Sequence, residues 1–202
     1  MSETETFVQF GKPIIQKKIL EPLKGLFIYG HKTQYQTLVY PQGVLPGVRT
    51  LERWPHLKGL ARKRILEIGC SSGIDGILAL VCGAKSYYGY DNDDQALSLG
   101  REVAKAWGVE AHLVKADVQT FVDWPSADVL FLFSVTQRFD RDLLTRAAKA
   151  SEARVIYLED HGPNDITALA LMSLLADFEW KKVAAYDSNG QGWVKKLWKG
   201  AR

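Results

Sequence analysis

The strongest constraint on this chain is an alternation that begins near Arg64, where short apolar runs start to trade places with segments of helical periodicity. Such alternation predicts parallel strands joined by helices lying on both faces of one sheet, a doubly wound α/β architecture. Ile65-Leu66-Glu67-Ile68 has strand character and feeds a glycine-rich turn. Ile74, Ile77, Leu78, Val81 and Cys82 then share one helix face, the spacing expected of an amphipathic helix. Gly83 stops that helix, and Ser86-Tyr87-Tyr88-Gly89-Tyr90 predicts a second strand ending at Asp91. Asp93 or Asp94 can cap the next helix, whose stripe is Ala96, Leu99, Val103, Ala106 and Trp107 and whose terminator is Gly108.

His112-Leu113-Val114 makes a brief third strand before Asp117. The near-continuous run Asp128 to Phe133 reads as a strand covered on both faces, hence central. A helix carrying Leu143, Leu144, Ala147 and Ala148 leads to a fifth strand, Val155 to Leu158, and then to Glu159-Asp160-His161-Gly162-Pro163. Ile166 to Phe178 predicts an apolar helix. Trp180–Tyr186 and Gly192–Trp198, joined across Asn189-Gly190, predict an antiparallel hairpin.

Composition bounds the function. With 202 residues, 47% hydrophobic and 24% charged, the chain suits one domain, or one with a small appendage. A net charge of +3 lacks the surplus of a dedicated nucleic-acid binder. Cys70 and Cys82 are too few for a disulfide framework, and no basic-then-apolar leader follows Met1, so a reducing cytoplasm is the expected compartment. The longest apolar stretches fall short of the roughly 20 residues that span a bilayer. Residues 1–60, broken by Pro13, Pro22, Pro41, Pro46 and Pro55, differ in texture from residues 61–202. They predict an N-terminal helical or loop appendage that covers a sheet edge or acts as a substrate lid.

Chemistry starts at Glu67-Ile-Gly69-Cys70-Ser71-Ser72-Gly73-Ile-Asp-Gly76. Glycines where a parallel strand meets its helix permit positive φ and let a ligand approach backbone N–H groups at the helix N-terminus. A dinucleotide site would want glycine at position 71, where Ser71 stands. A short-chain dehydrogenase would place the turn near the N-terminus and pair a Tyr with a Lys four residues on, a pair absent here.

Glu67-x-Gly69-x-x-x-Gly73, Asp91 closing the second strand, Asp117 after the third, and the terminal hairpin together resemble the class I S-adenosylmethionine-dependent methyltransferases. The resemblance covers about two thirds of the chain, from Arg64 to the end. It implies a Rossmann-like, seven-stranded, mostly parallel sheet with the last strand antiparallel, and S-adenosyl-L-methionine as cofactor. Carried over, Gly69, Cys70, Ser71 and Gly73 form the cofactor turn, and Glu67 orients it and the bound ammonium group. Asp91, with Asn92 beside it, accepts the ribose hydroxyls. Asp117 and Val118 meet the adenine, and Phe133 and Ser134 lie by the methionine end. Ser71 or Ser72 replaces the third glycine common in the family.

Methyl transfer from a sulfonium uses an already activated donor, so alignment matters more than a nucleophilic residue. A base is needed only when the acceptor must lose a proton. Gln137, Arg138, Glu159, Asp160 and His161 stand at strand ends, and His161, titrating near neutrality, is the candidate base. No Asn-Pro-Pro-Tyr type sequence follows Phe133, and no metal-ligand spacing is present. The expectation is a small-molecule acceptor. The alternatives are an RNA acceptor and a non-catalytic adenosyl-nucleotide-binding module. Arg49, Arg53, Lys58, Arg62, Lys63 and Arg64, with Lys195, Lys196 and Lys199, form basic runs expected to be a solvated face.

Overall fold

The computed structural model describes residues 6–9, 12–15, 36–41, 43–45, 47, 49, 51–120, 123–160, 162, 165–187 and 194–202. Among the described residues before the alternating region lie two hairpins, β1 (Thr6–Gln9) with β2 (Lys12–Ile15) and β3 (Leu38–Tyr40) with β4 (Gly43–Leu45), and a 3-10 turn at Trp54–His56. Where helices or loops were expected, the described part of this segment is therefore mostly extended.

From Arg64 onward the elements are β5 (Arg64–Ile68), α1 (Ile74–Val81), β6 (Ser86–Asp91), α2 (Asp94–Trp107), β7 (His112–Lys115), β8 (Val129–Phe133), α3 (Arg141–Ala150), β9 (Val155–Glu159), α4 (Ile166–Leu174), β10 (Glu179–Asp187) and β11 (Val194–Ala201). They form one seven-stranded sheet in the order β7-β6-β5-β8-β9-β11-β10. β5 to β9 are mutually parallel, and β11 runs antiparallel to both of its neighbours. The β10–β11 hairpin pairs Asp187 with Val194, and its expected Asn189-Gly190 turn lies outside the described residues.

Helix ends follow local chemistry. Asp93 caps α2 by accepting from the amides of Gln95 and Ala96, and Gly108, at φ 67°, ends it in the left-handed region. Ala106 is exposed, so the buried stripe of α2 runs through Ala96, Leu97, Leu99, Gly100, Val103 and Ala104. α4 stops at Leu174, short of the expected Phe178.

The sheet separates two apolar clusters. Ile65, Tyr87, Phe131, Phe133 and Tyr157 pack with α1 and α2 on one side. Leu66, Ile68, Leu130, Leu132 and Ile156 pack with α3 and α4 on the other. Leu38, Val39, Leu45, Leu51, Trp54, Leu57 and Leu60 belong to the first cluster, so residues 38–60 share a core with the sheet. Trp107 Nε1 donates to the Val39 carbonyl at 2.7 Å, and the Tyr157 hydroxyl donates to the Lys58 carbonyl at 2.9 Å. Among the described residues no helix is long and apolar enough to cross a membrane.

Strand order sets where a ligand can bind. The chain moves outward from β5 through β6 to β7, then crosses back to β8 on the other side of β5. Between the carboxyl ends of β5 and β8 the winding direction reverses, and open α/β sheets leave a crevice at such a point.

Candidate functional site

The loop after β5 carries three left-handed residues in alternation: Gly69 at φ 69°, Ser71 at φ 54° and Gly73 at φ 67°. The amides of Gly69 and Cys70 both donate to the Tyr90 carbonyl, at 2.8 and 3.1 Å, which fixes the loop to the end of β6. A Cβ on Gly69 would lie 2.6 Å from Val135 Cγ1, and one on Gly73 would lie 2.7 Å from Leu113 Cδ2. Both positions therefore require glycine for space as well as for conformation.

Ser71 has no such freedom. A left-handed conformation costs a residue with a Cβ roughly 1–2 kcal/mol. Asp91 offsets this, because the Ser71 amide donates to Asp91 Oδ2 at 2.7 Å. Ser72 is held from the N-terminal segment, its amide donating to Gln36 Oε1 at 3.0 Å and its hydroxyl to the same atom. The Ser71 hydroxyl is buried and meets no hydrogen-bond partner among the described residues.

Asp91 ends β6 and is 6% exposed. Its Oδ1 accepts from the Asp93 amide at 2.9 Å, so each carboxylate oxygen holds one backbone donor and keeps a second lone pair. Asn92 beside it is exposed. Asp117, past the end of β7, is exposed and accepts from the Gln119 amide at 3.0 Å. Val118 is buried in the cluster of Tyr90 and Trp124. Ser71 and Asp91 thus meet directly, while Asp117 and Val118 occupy the neighbouring strand end.

Glu67 lies beneath the loop, 2% exposed. The Tyr87 hydroxyl donates to its Oε2 at 2.7 Å. Burial, with the nearby Asp75 carboxylate, pushes Glu67 up to about 8, so at neutral pH it is mostly protonated. Its carboxyl supports the turn from inside through Tyr87. Cys70 is also buried, and burial raises its thiol well above the ordinary value, as for an inert core cysteine.

A network unforeseen in the sequence occupies the ends of β8 and β9. Glu159 is 0% exposed. Its Oε1 accepts from Arg49 Nη2 at 2.7 Å, from Lys195 Nζ at 3.4 Å and from the Ser134 hydroxyl. Its Oε2 accepts from Arg53 Nη1 at 3.0 Å and from the Tyr186 hydroxyl at 2.6 Å. Burial opposes its charge, but Arg53, Arg49 and Lys195 outweigh burial and hold the carboxyl well below the usual range. Arg53 also donates through Nε to Asp75 Oδ2 at 3.1 Å and lies 4.5 Å from the centre of the Phe133 ring. Ser134 Oγ accepts from Arg49 Nη2 at 2.9 Å and from Lys195 Nζ at 2.8 Å.

Phe133 and Ser134 are therefore engaged with cations from the chain's own two ends. Arg49, Arg53 and Lys195, expected on a solvated face, are instead drawn inward by Glu159. Arg62, Lys63 and Lys58 are exposed as expected. The available signal was Glu159 itself, a carboxylate ending an otherwise apolar strand, which must find cations if it stays charged. His161 lies outside the described residues.

A seven-stranded sheet with this order, a glycine loop at its switch point and an acid closing the next strand define a nucleotide-cofactor fold of the Rossmann kind. The chain belongs to the class I S-adenosylmethionine-dependent methyltransferase family. A sequence model described as ribosomal protein L11 methyltransferase matches residues 48–132. The chain is 31% identical over 159 residues to the ribosomal protein L11 methyltransferase of Alteromonas mediterranea, covering 73% of this chain and 53% of that protein. To the enzyme of the same name from Marinobacter nauticus it is 34% identical over 98 residues, 46% of this chain and 33% of the relative. The chain thus spans between a third and about half the length of these relatives. Among solved structures, magnesium protoporphyrin IX methyltransferase from Synechocystis, determined with bound cofactor, superposes with TM-score 0.57 at 15% identity over 71% of this chain and 72% of that one, a likeness of fold.

These relatives correct one expectation: they are named for a protein acceptor, so the small-molecule acceptor is set aside. S-adenosyl-L-methionine is the family's cofactor, and the residues present fit it. The partnerless Ser71 hydroxyl and the two remaining lone pairs of Asp91 suit a ligand carrying neighbouring hydroxyls.

Two outcomes are expected. Asp91→Ala should weaken binding of S-adenosylhomocysteine by roughly 1.5–3 kcal/mol, about tenfold to a hundredfold, the range for hydrogen bonds to a charged group; unchanged affinity in calorimetry would remove Asp91 from the site. For Glu67, whose folded-state value is raised, the folded chain keeps a proton that the unfolded chain releases above about pH 4.5. Stability is then fully present below that pH and falls as pH rises towards about 8, by at most ~1.4 kcal/mol per pH unit. Glu67→Gln, which still accepts from Tyr87, should flatten that decline in urea unfolding midpoints taken at pH 5 and pH 8. Parallel declines in the two proteins would contradict the assignment.

Proposed function

We propose that this chain transfers the methyl group of S-adenosylmethionine to a protein, and that its acceptor is a ribosomal protein of the L11 kind. The observation that carries this reading is the identity of 31% over 159 residues to a ribosomal protein L11 methyltransferase, which extends beyond the cofactor loop into most of the sheet. The chain's own residues have three tasks in such a reaction. The glycine loop and Asp91 hold the donor, the strand end at Phe133 and Ser134 lies by its methionine end, and the apolar cover from Leu38, Val39, Leu45, Leu51, Trp54, Leu57 and Leu60 keeps water from that side of the sheet. Incubation with methyl-labelled cofactor should label purified ribosomal protein L11 and leave transfer RNA unlabelled. Label on RNA alone, or on neither, overturns the acceptor assignment.

His161 is proposed as the base that takes the acceptor's proton, since it lies two residues past Glu159, the last residue of β9. His161→Ala should slow transfer at least tenfold while leaving affinity for S-adenosylhomocysteine unchanged. Undiminished transfer by that variant would dismiss the histidine from the mechanism.

A further inference from the structure

We propose that Lys195 is a site of self-methylation, its amine taking a methyl group from the cofactor bound in the same chain. The geometry starts at the switch point. Val135 Cγ1 would lie 2.6 Å from a Cβ on Gly69, so the segment following β8 rests against the first glycine of the cofactor loop. Ser134 immediately precedes Val135 and is itself left-handed at φ 55°. Its hydroxyl is 2.8 Å from Lys195 Nζ. The side chain that touches the cofactor loop and the one that holds the amine thus belong to adjacent residues.

The lysine comes from the start of β11, antiparallel to β9, which carries it to the carboxyl end of the sheet. Its side chain is only 10% exposed. Arg49 and Arg53 hold the same carboxylate, but guanidinium groups stay protonated at any working pH. Lys195 is therefore the nucleophilic nitrogen of the network. Burial pulls its amine down to about 8 although Glu159 opposes this, so an appreciable neutral fraction exists near neutral pH.

The step balances without a further reactant. The lone pair on Nζ forms a bond to the methyl carbon while the carbon–sulfur bond breaks. The bonding pair stays on sulfur as S-adenosylhomocysteine leaves, and the methylammonium gives a proton to water. Methylation keeps the lysine's capacity for charge but removes an N–H that now serves Ser134 or Glu159.

This inference rests on the chain binding S-adenosylmethionine, and the experiment separates the two. The full chain, incubated with cofactor and no acceptor, should gain the mass of one or more methylene groups on the peptide containing Lys195. Lys195→Arg should show no such gain. Independently of turnover, S-adenosylhomocysteine should change by several-fold the rate at which formaldehyde and borohydride label Lys195, with Lys58 and Lys63 as exposed references. Calorimetry on the same samples reports binding. If S-adenosylhomocysteine binds but Lys195 stays unmethylated, or if its labelling rate is indifferent to the ligand, the proposal fails and the methyltransferase reading stands. Absence of binding refutes both.

Discussion

One buried carboxylate organises the carboxyl edge of the sheet. Glu159 accepts from two hydroxyls and three cations brought from residues 49, 53, 134, 186 and 195. An ionised carboxylate out of water costs several kcal/mol, and so does each buried cation. None of these groups would remain buried alone, and together they satisfy one another. The consequence is topological, since the segment before β5 and the closing hairpin are both fastened at the carboxyl ends of β8 and β9. Removing Glu159 would take the shared carboxylate from all three cations at once, so the arrangement resists that change most.

The cofactor loop shows the same logic on a smaller scale. Ser71 adopts a conformation suited to glycine because Asp91 holds its amide. Glu67 stays beneath the turn without a charge because burial and Asp75 disfavour ionisation, and in that state the Tyr87 hydroxyl satisfies it. The carboxylate at the end of β6 holds one backbone amide on each oxygen and leaves a second lone pair on each open, while the one beneath the loop serves as a neutral support. Environment alone assigns the two acids different work.

Much of this was legible in one dimension. Period-3.6 stripes located α1 to α3, and strand runs located the seven strands, because burial on two faces imposes those periods directly. Asp93 and Gly108 mark the ends of α2 through local hydrogen bonding and left-handed φ, which need no distant partner. The glycine loop and Asp91 were readable for the same reason. Ala106 was misplaced because an alanine next to Trp107 fits the stripe as well as Ala104 does, and packing against β3 and β7 settles which of them is buried. Arg49, Arg53 and Lys195 break the expectation because a basic run looks the same whether it faces water or a carboxylate 36, 106 or 110 residues away. The acceptor left no local trace at all. A displacement on an activated methyl needs alignment more than a dedicated side chain, so relatives, not motifs, correct the small-molecule expectation.

Arg53 ties the helix after the glycine loop to the end of β9. Its Nε reaches Asp75 in the first turn of the helix that follows the loop, and its Nη1 reaches Glu159 at the end of β9. A guanidinium offers these donors in a rigid plane, so the distance between its two partners is fixed within narrow limits. Phe133 packs against the plane and restricts its tilt. The separation between α1 and the end of β9 is therefore set by a residue outside the alternating part of the chain, lying in a segment whose texture first suggested an appendage. The sheet supplies the crevice between β5 and β8, and the preceding segment braces α1 and the end of β9 beside it.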